Sequence, residues 1–475
     1  MPGLFGSLYL SSSALRTQQE GVEIAGQNLA NVNNPAYARQ RLVLQTSTPV
    51  QTSIGPQGTG VQAVAIQQIR DAMLDGQIQG ETSITSWLQA QQSALQEAEA
   101  GLGEQLEGST AATGTDSVGA TGGLDSALSG LFNAFQTLST SPSSLTSRQG
   151  VITQAQQLAT QFNQVNQRLD SVHDQLNQSI QTDVASANGL LSDIAGLNKQ
   201  ITLAEAGGGG TANDLRDLRQ EKLEDLAKLV NFQSAATAEG GVNIVVNGQL
   251  LVSGAEVQDK LETYDAGGGQ VLVRAAGSGA PLTLAGGSVQ GAIEARDNAL
   301  GSLQGSLNQL ATQLITQVNA VYGNGYDLNG GTGASFFTGT NAGDIGVNAA
   351  LAGDASKLQA AGVAGAAGDN QVAVALAQLG SAPQAALGGQ TFSEHYNTTI
   401  TGLGSALASV NSQLSEQQAV QNMLNQQRQS VSGVSVDEEM TDLVKYQRAF
   451  EASAHLVSTI DTLLGEVVNL GTTKV

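Results

Sequence analysis

The amino-acid sequence predicts a mainly α, elongated protein, with terminal coiled-coil segments, a long helical rod or bundle and a small inserted β domain. Three observations support this fold class. Apolar residues recur every seven positions near both ends, residues 144–206 keep apolar residues at steps of three or four, and strand-like alternation surrounds Asn247-Gly248. With 475 residues, the chain also exceeds the roughly 250–300 that one hydrophobic core usually supports, so several domains are expected.

Composition excludes several classes of partner. The formal net charge is -22, from 41 acidic and 19 basic residues, so phosphate backbones and anionic lipid would be repelled. We therefore expect no nucleic-acid partner. We also expect no membrane insertion, because no apolar run reaches the roughly 18 residues of a membrane span. The N-terminus lacks the pattern of a secretory signal peptide, so the protein either stays in the cytoplasm or leaves without signal cleavage.

The first predicted element is an N-terminal helix with one narrow apolar seam. Leu8, Leu15, Val22 and Leu29 are one heptad apart, and mostly polar or small residues stand between them. Such a helix needs a partner seam in order to fold. The helix is expected to end at Asn33-Asn34-Pro35, because the residue before proline avoids the helical region.

Extended chain and a second helix are predicted next. Residues 37–66 alternate in polarity and contain glycine turns, which is typical of strands. Apolar residues at helical spacing then predict a helix from near Ile66 to Leu106. Residues 108–123 are rich in Gly, Ser and Thr and are interpreted as a loop.

The longest predicted helix runs from Ser144 to Ala206, on the order of 90 Å at about 1.5 Å per residue. The glycines at 207–210 are expected to end it. Asn213 is predicted to cap a short helix that continues to Leu229. A rod of this length is typical of elongated proteins rather than compact enzymes.

A small β domain is predicted between residues 232 and 287. Val242, Ile244 and Val246 stand at alternate positions, and Asn247-Gly248 follows at once. A strand, an Asn-Gly pair and a second strand form the strongest short hairpin signal. Two more strands are predicted around Leu261 and at residues 271–273.

Helices resume after the β domain. One is predicted over residues 289–321, and a heptad helix follows through Ile400 to Leu424. Residues 323–395 are Gly- and Ala-rich and mixed in pattern, and they receive no assignment. A capping box of Ser435 and Glu438 precedes the last helix.

The last helix carries two apolar seams. The members of the first are one heptad apart, and they are Leu443, Phe450, Val457 and Leu464. Tyr446, Ile460 and Val467 form the second. Three domains are therefore predicted: a terminal coiled-coil assembly domain of residues 1–66 with 432–475, a helical rod domain of residues 67–231 with 288–431, and the β domain of residues 232–287.

No catalytic or ligand-binding set emerges from the sequence. There are no cysteines, and the three histidines lie far apart. Asp437, Glu438 and Glu439 form the first turn of a predicted helix, where negative charge stabilises the helix dipole. Asp327-Leu328-Asn329-Gly330 departs from the calcium-loop pattern at the next two positions, so a turn is expected there. We therefore expect no enzyme activity, no catalytic residues, no metal and no cofactor.

Short motifs at both ends carry a family resemblance. The run from Ala25 to Gln40, AGQNLANVNNPAYARQ, resembles the N-terminal signature of bacterial flagellar axial proteins, close to Asn-Ile-Ala-Asn-x-x-Thr-Pro-Gly-Tyr-x-Arg. It departs from that signature at Asn34 and Ala36. Residues 432–454 resemble the C-terminal region of the same class. Two interior blocks, residues 212–230 and 330–337, are similar to the hook-associated proteins of the hook–filament junction.

The resemblance implies a structural role in the flagellum. Members of this family join the hook to the filament, leave the cell through the flagellar type III channel without signal cleavage, and pair their terminal segments in a coiled-coil inner layer. The implied location is extracellular, at the hook–filament junction. The implied partners are further copies in a ring within a helical tube, the hook protein, the second junction protein or filament side, and an export chaperone. The terminal segments of family members tend to be disordered in the free monomer.

The resemblance and the heptads together predict an assembly interface. From the residues that match the N-terminal signature, we place Asn28, Asn31, Tyr37 and Arg39 in this interface. We expect Leu8, Leu15, Val22 and Leu29 to face the C-terminal helix, through Leu443, Phe450, Val457, Ile460 and Leu464.

Two alternatives stay open. One is another flagellar axial protein, such as the second junction protein, a hook subunit or a rod subunit. The other is an axial scaffold whose β insert binds carbohydrate or acts as an adhesin.

Overall fold

The computed structural model describes residues 3–52, 55–103, 123–207 and 210–472. The α-helices in these ranges are α1 Leu4–Ala30, α2 Ala72–Leu102, α3 Leu124–Thr140, α4 Leu145–Ala206, α5 Asn213–Leu229, α6 Gly287–Glu294, α7 Gly301–Tyr322, α8 Ala349–Gly353, α9 Gln371–Leu379, α10 Phe392–Ser432 and α11 Val436–Thr472. The strands are β1 Gln40–Thr46, β2 Val50–Thr52, β3 Gly55–Gln57, β4 Val61–Gln68, β5 Gln233–Ala236, β6 Val242–Val246, β7 Gln249–Ser253, β8 Glu256–Val257, β9 Leu261–Asp265, β10 Val271–Ala275, β11 Phe337–Thr338 and β12 Gly346–Val347. The mainly α fold class with a long helical rod is confirmed.

The rod is helix α4, as predicted from the spacing of its apolar residues. It contains 62 residues, and the Ser144 hydroxyl caps its first turn by accepting a hydrogen bond from the Ser147 amide. Its apolar face is buried along the whole length, from Val151 to Ile201. Helices α2, α3, α5 and α6 pack against this face, so α4 is the axis around which the middle of the chain is built.

The predicted β hairpin is confirmed. Strands β6 and β7 are antiparallel, and Asn247 and Gly248 join them with φ angles of 45° and 81°. Positive φ at both positions defines a type I′ turn, which matches the twist of the two strands. The four-stranded sheet has the order β5-β6-β7-β8. The two further predicted strands are present as β9 and β10, and they form a second antiparallel pair.

Asparagine side chains of α4 hold these strands by their backbone. Asn188 donates to the Leu261 carbonyl and accepts from the Leu261 amide, so it acts like one residue of a neighbouring strand. Asn198 pairs with Val242 in the same two-way manner. Asn177 binds the turn between β9 and β10. The β segment is thus fixed to the rod at three positions.

Two helix starts differ from the prediction. The helix expected from Ile66 begins at Ala72, because Ile66 belongs to β4 and pairs with Leu42 of β1. Asp71 caps the helix by accepting from the amides of residues 73 and 74. Asn213 is the first residue of α5 rather than its cap, and its side chain binds the Ile66 carbonyl instead. The helix ends at Leu102 rather than at the expected Leu106, because Gly103 follows it in the left-handed conformation with a φ of 70°. The predicted loop at 108–123 lies outside the described residues, except for residue 123.

The later helices follow the prediction with two refinements. The helical stretch predicted over 289–321 contains a π-helical segment, Ala295–Leu300, between α6 and α7. The heptad helix through Ile400 belongs to α10, which begins at a complete capping box of Thr391 and Glu394. The predicted turn at Asp327 is confirmed, because its carboxylate accepts from the amides of Asn329 and Gly331. The division of the chain into three domains remains a prediction.

Candidate assembly interface

Helices α1 and α11 pack against each other in opposite directions. A methyl group added to Gly21 would lie 2.7 Å from the ring of Tyr446, so the two backbones meet closely there. Seven residues further along α1, the Asn28 amide donates to the Glu439 carboxylate at 3.0 Å, and Glu439 is seven residues before Tyr446. The two terminal helices therefore form an antiparallel pair with a heptad register.

The predicted apolar seam of α1 lies beside the most buried positions of the helix. Leu8, Leu15, Val22 and Leu29 are all half-buried. The buried residues of α1 are mostly small or polar, and they are Ser11, Thr17, Gly21, Ile24, Ala25 and Asn28. Small side chains at these positions let α11 approach closely, which leucines would prevent.

The predicted seam residues of α11 also differ in burial. Ile460 is buried, whereas Leu443, Val457 and Leu464 are half-buried and Phe450 is 40% exposed. Continuing the register of the two contacts places Leu443 level with Ile24, and Val457 level with Leu10. Val22 and Val457 lie on the same helix pair but are not brought together. As an assembly surface, these residues remain a prediction.

A polar hub, which we define as the hydrogen-bonded side chains around Asn28, joins this helix pair to the rod. Asn28 is 1% exposed. Its amide nitrogen donates to the Gln40 carbonyl and to Glu439, and its oxygen accepts from the Gln40 amide and the Tyr37 hydroxyl. All four hydrogen-bonding capacities of the side chain are thus satisfied. The signature asparagine ties α1, the segment after Pro35 and α11 together.

Arg39 adds an ionic link between the two ends of the chain. Its Nε donates to Glu439 and its Nη1 to Glu438, each at 2.6 Å. Its backbone amide donates to the Ser432 carbonyl at the end of α10. These bonds fix the start of α11 against the N-terminal segment, so the predicted first-turn carboxylates have specific partners as well as a favourable helix dipole.

Helix α5 also contributes side chains to the hydrogen bonds beside the hub. Asp217 accepts from the side chains of Gln68 at 2.6 Å and Arg70 at 2.8 Å. Arg70 also donates to the Ala36 carbonyl, which holds the turn after α1. The block at 213–219 is therefore placed against the N-terminal signature by buried, charge-assisted bonds.

Burial changes the protonation behaviour of the hub. It raises the pKa of Asp217 from 3.8 to about 7, against the opposing effect of the Arg70 guanidinium. Burial, followed by the negative charges of Asp217 and Asp214, raises the pKa of the Tyr37 hydroxyl above its ordinary value. Tyr37 consequently keeps its proton at neutral pH and can donate to Asn28.

Asn31, unlike Asn28, bonds within its own helix. Its side chain donates to the Gln27 carbonyl within α1. Two cavities of about 290 and 390 Å³ adjoin the turn that follows, and Asn31, Asn34 and Tyr37 line both. Of the two departures from the family signature, Asn34 is exposed beside these cavities, whereas Ala36 is buried.

Asp217, Arg70 and Gln40 were not predicted as parts of this site. One signal in the sequence could have indicated the first. Only 13% of the chain is charged, yet four of the seven residues from Asn213 to Arg219 carry a charge. Such a concentration in a charge-poor chain favours buried ion pairs over a solvated face.

Comparisons with known proteins agree with this architecture. The profile described as the flagellar hook-associated protein FlgK helical domain matches residues 115–337, and that of the flagellar basal body rod FlgEFG protein C-terminal region matches residues 425–470. Flagellar hook-associated protein 1 of Bacillus subtilis is 29% identical over 99% of both chains. The Salmonella typhimurium protein of the same name is 24% identical over 96% of this chain and 98% of its own.

A solved structure shares the fold. The flagellar hook junction protein FlgK from Burkholderia pseudomallei superposes with a TM-score of 0.64 and 16% identity, over 75% of this chain and 100% of its own. Across the described residues, no helix combines the length and apolar character that crossing a bilayer requires. The two profile matches, the full-length relatives and the shared fold together show that the chain belongs to the FlgK family of flagellar hook-associated proteins.

Proposed function

We propose that the chain is a structural, non-enzymatic subunit that joins the flagellar hook to the filament and assembles through its terminal helices. The observation that carries this proposal is the antiparallel pair of α1 and α11. The pair is fixed to the rod by the hub, yet it exposes large apolar side chains on both helices, among them Phe5, Tyr9, Leu456 and Leu463. Exposed apolar surface of this kind marks protein–protein contact.

The partners follow from the names of the relatives. One relative is named as hook-associated and another as a hook junction protein. We propose that this chain contacts the hook protein on one side and the second junction protein or filament side on the other. Further copies complete a ring within the tube. We also propose an extracellular location, reached with a chaperone through the flagellar export channel and without signal cleavage.

Decoration of isolated hooks tests the proposal. Labelled protein is added to purified hooks, and the hook tips are imaged by electron microscopy. We expect wild type to decorate the distal tip, and the double variant Val22→Asp/Val457→Asp to lose decoration. Both valines are half-buried on the terminal pair, and a carboxylate there loses its hydration. Circular dichroism should show that the rod stays folded.

Two further proteins serve as controls. Val363→Asp places the same charge on an exposed loop, where valine is 55% exposed, and should decorate like wild type. A variant lacking residues 1–40 and 435–475 should not decorate. Normal decoration by that truncated variant, or by Val22→Asp/Val457→Asp, would show that the ends do not carry assembly.

A further inference from the structure

Helix α1 presents a stripe of residues on the side opposite α11. Phe5 and Tyr9 are 76% and 72% exposed, and Arg16 continues the same face at helical spacing. Five residues separate Arg16 from Gly21, which is about 140° around the helix at 3.6 residues per turn. We call Phe5, Tyr9, Ser12 and Arg16 the front stripe.

Helix α11 presents a second stripe, also directed away from its partner helix. Val436, Met440 and Val444 are 47%, 49% and 50% exposed, and Asp437 is exposed beside them. Val444 is two residues before Tyr446, about 200° around the helix from the contact with Gly21. We call Val436, Asp437, Met440 and Val444 the back stripe.

The two stripes are complementary in charge. Arg16 of the front stripe and Asp437 of the back stripe form no ion pair with any described residue. Seven residues separate Arg16 from Tyr9, and seven separate Asp437 from Val444. An antiparallel alignment therefore places Arg16 on Asp437 and Tyr9 on Val444 at once. It also brings Phe5 level with the 78% exposed side chain of Arg448, where a cation–π contact is available.

The direction of this alignment is the one that co-oriented copies require. Subunits that repeat along one tube by rotation and translation all point the same way. Since α1 and α11 run in opposite directions within a chain, α1 of one copy meets α11 of the next in an antiparallel manner. The joint pairing of Arg16 with Asp437 and of Tyr9 with Val444 thus has the direction that such a tube requires.

We infer that the front stripe of one copy packs against the back stripe of the next copy. This inference rests on the proposed self-assembly and names the surfaces that carry it. The contact is heterologous, because different patches meet, so it continues from copy to copy without closing a dimer. Within a chain, Tyr9 lies 14 residues along the axis from Val444, so neighbours are offset by about 20 Å at 1.5 Å per residue.

Cysteine crosslinking tests this contact cleanly, because the chain has no cysteines. The single variants Tyr9→Cys and Val444→Cys are mixed and oxidised, both on hook tips and at high concentration in solution. We expect a crosslinked dimer in the mixture and none with either variant alone, since a disulfide requires Cα atoms within about 7 Å. The double variant Tyr9→Cys/Val444→Cys should give a ladder of multimers.

A control pair of cysteine variants and two outcomes that would contradict the proposed contact complete the experiment. Tyr9→Cys mixed with Met423→Cys, which replaces a 58% exposed residue on α10, should not crosslink. If the variants decorate hooks but the mixture gives no dimer in either setting, the stripes are not the contact, although the junction role stands. A dimer from one variant alone shows a like-with-like contact and overturns the inference. If hooks are not decorated, the junction role fails and the solution reaction alone decides the contact.

Discussion

Asn28 illustrates how much of the site depends on contacts that are remote in sequence. Its partner Glu439 is 411 residues away, so no local pattern could reveal the bond. The resemblance to axial proteins selected Asn28, Tyr37 and Arg39, but their common role became visible only in the hub. An aspartate would lack the two amide donors of Asn28, and an alanine would leave buried groups unpaired at a cost of about 1–3 kcal/mol.

The raised pKa of the single residue Asp217 predicts that the free energy of unfolding depends on pH. Its folded pKa of about 7 exceeds the unfolded value of 3.8, so folding favours the protonated carboxyl. The resulting stability is present below about pH 4 and is lost as the pH rises through 7. We expect Asp217→Asn to show a shallower decline in the free energy of unfolding between these pH values, measured by urea denaturation.

The slope, rather than the absolute stability, is the decisive quantity for Asp217→Asn. The variant also weakens the bond to Arg70, so its absolute stability changes for a second reason. Asp461→Asn, on the exposed side of α11, controls for the loss of one negative charge. A decline as steep as that of wild type would contradict a titrating role for Asp217.

At the scale of elements, the sequence predicted the helices and turns whose conformation depends on residues close together in the chain. The spacing of apolar residues defined α4, and the Asn-Gly pair defined the β6–β7 turn. The π-helical segment Ala295–Leu300 escaped prediction because its apolar spacing resembles that of the flanking helices. Ile66 was assigned to a helix because pairing with Leu42, a tertiary contact, decides its conformation.

The bonds of Asn198 lead to a prediction about how the β5–β8 sheet is held against the rod. It is fully buried and bonds both backbone groups of Val242 as well as the Gly254 carbonyl. We expect Asn198→Ala to lower the free energy of unfolding by about 1–3 kcal/mol, because these groups lose their partner. Amides of residues 242–253 should exchange faster with deuterium.

A second asparagine of the same helix provides the matched control. Asn163 binds the Ile345 carbonyl, far from the β domain. Asn163→Ala should leave the exchange of residues 242–253 unchanged. Equal protection of these strands in the Asn198→Ala variant would show that apolar packing alone holds the β domain.

At the scale of the whole molecule, Arg39 couples the terminal helix pair to the end of α10. The helical run breaks at residues 433–435 between α10 and α11, and Arg39 bonds both sides of this break. We expect Arg39→Ala to accelerate limited proteolysis at residues 433–435, because α11 loses two ionic bonds. The thermal transition of the middle of the chain should stay unchanged.

Arg41→Ala is the appropriate comparison for this variant. Arg41 is exposed and bonds Gln67 across the β1–β4 ribbon, so its loss should not affect cleavage at the break. If Arg39→Ala and Arg41→Ala are cleaved at the wild-type rate, the ionic bonds do not couple the terminal pair to the rod.

The asparagines of α4 also constrain how the family can change in length. Each inserted residue turns everything beyond it by about 100° and advances it by 1.5 Å. An insertion between Asn163 and Asn198 would therefore rotate one anchored segment away from its partner, unless it came in steps of seven or eleven residues, close to whole turns. Evolution can therefore insert residues into the rod only in such steps, whereas insertions in surface loops are not restricted in this way.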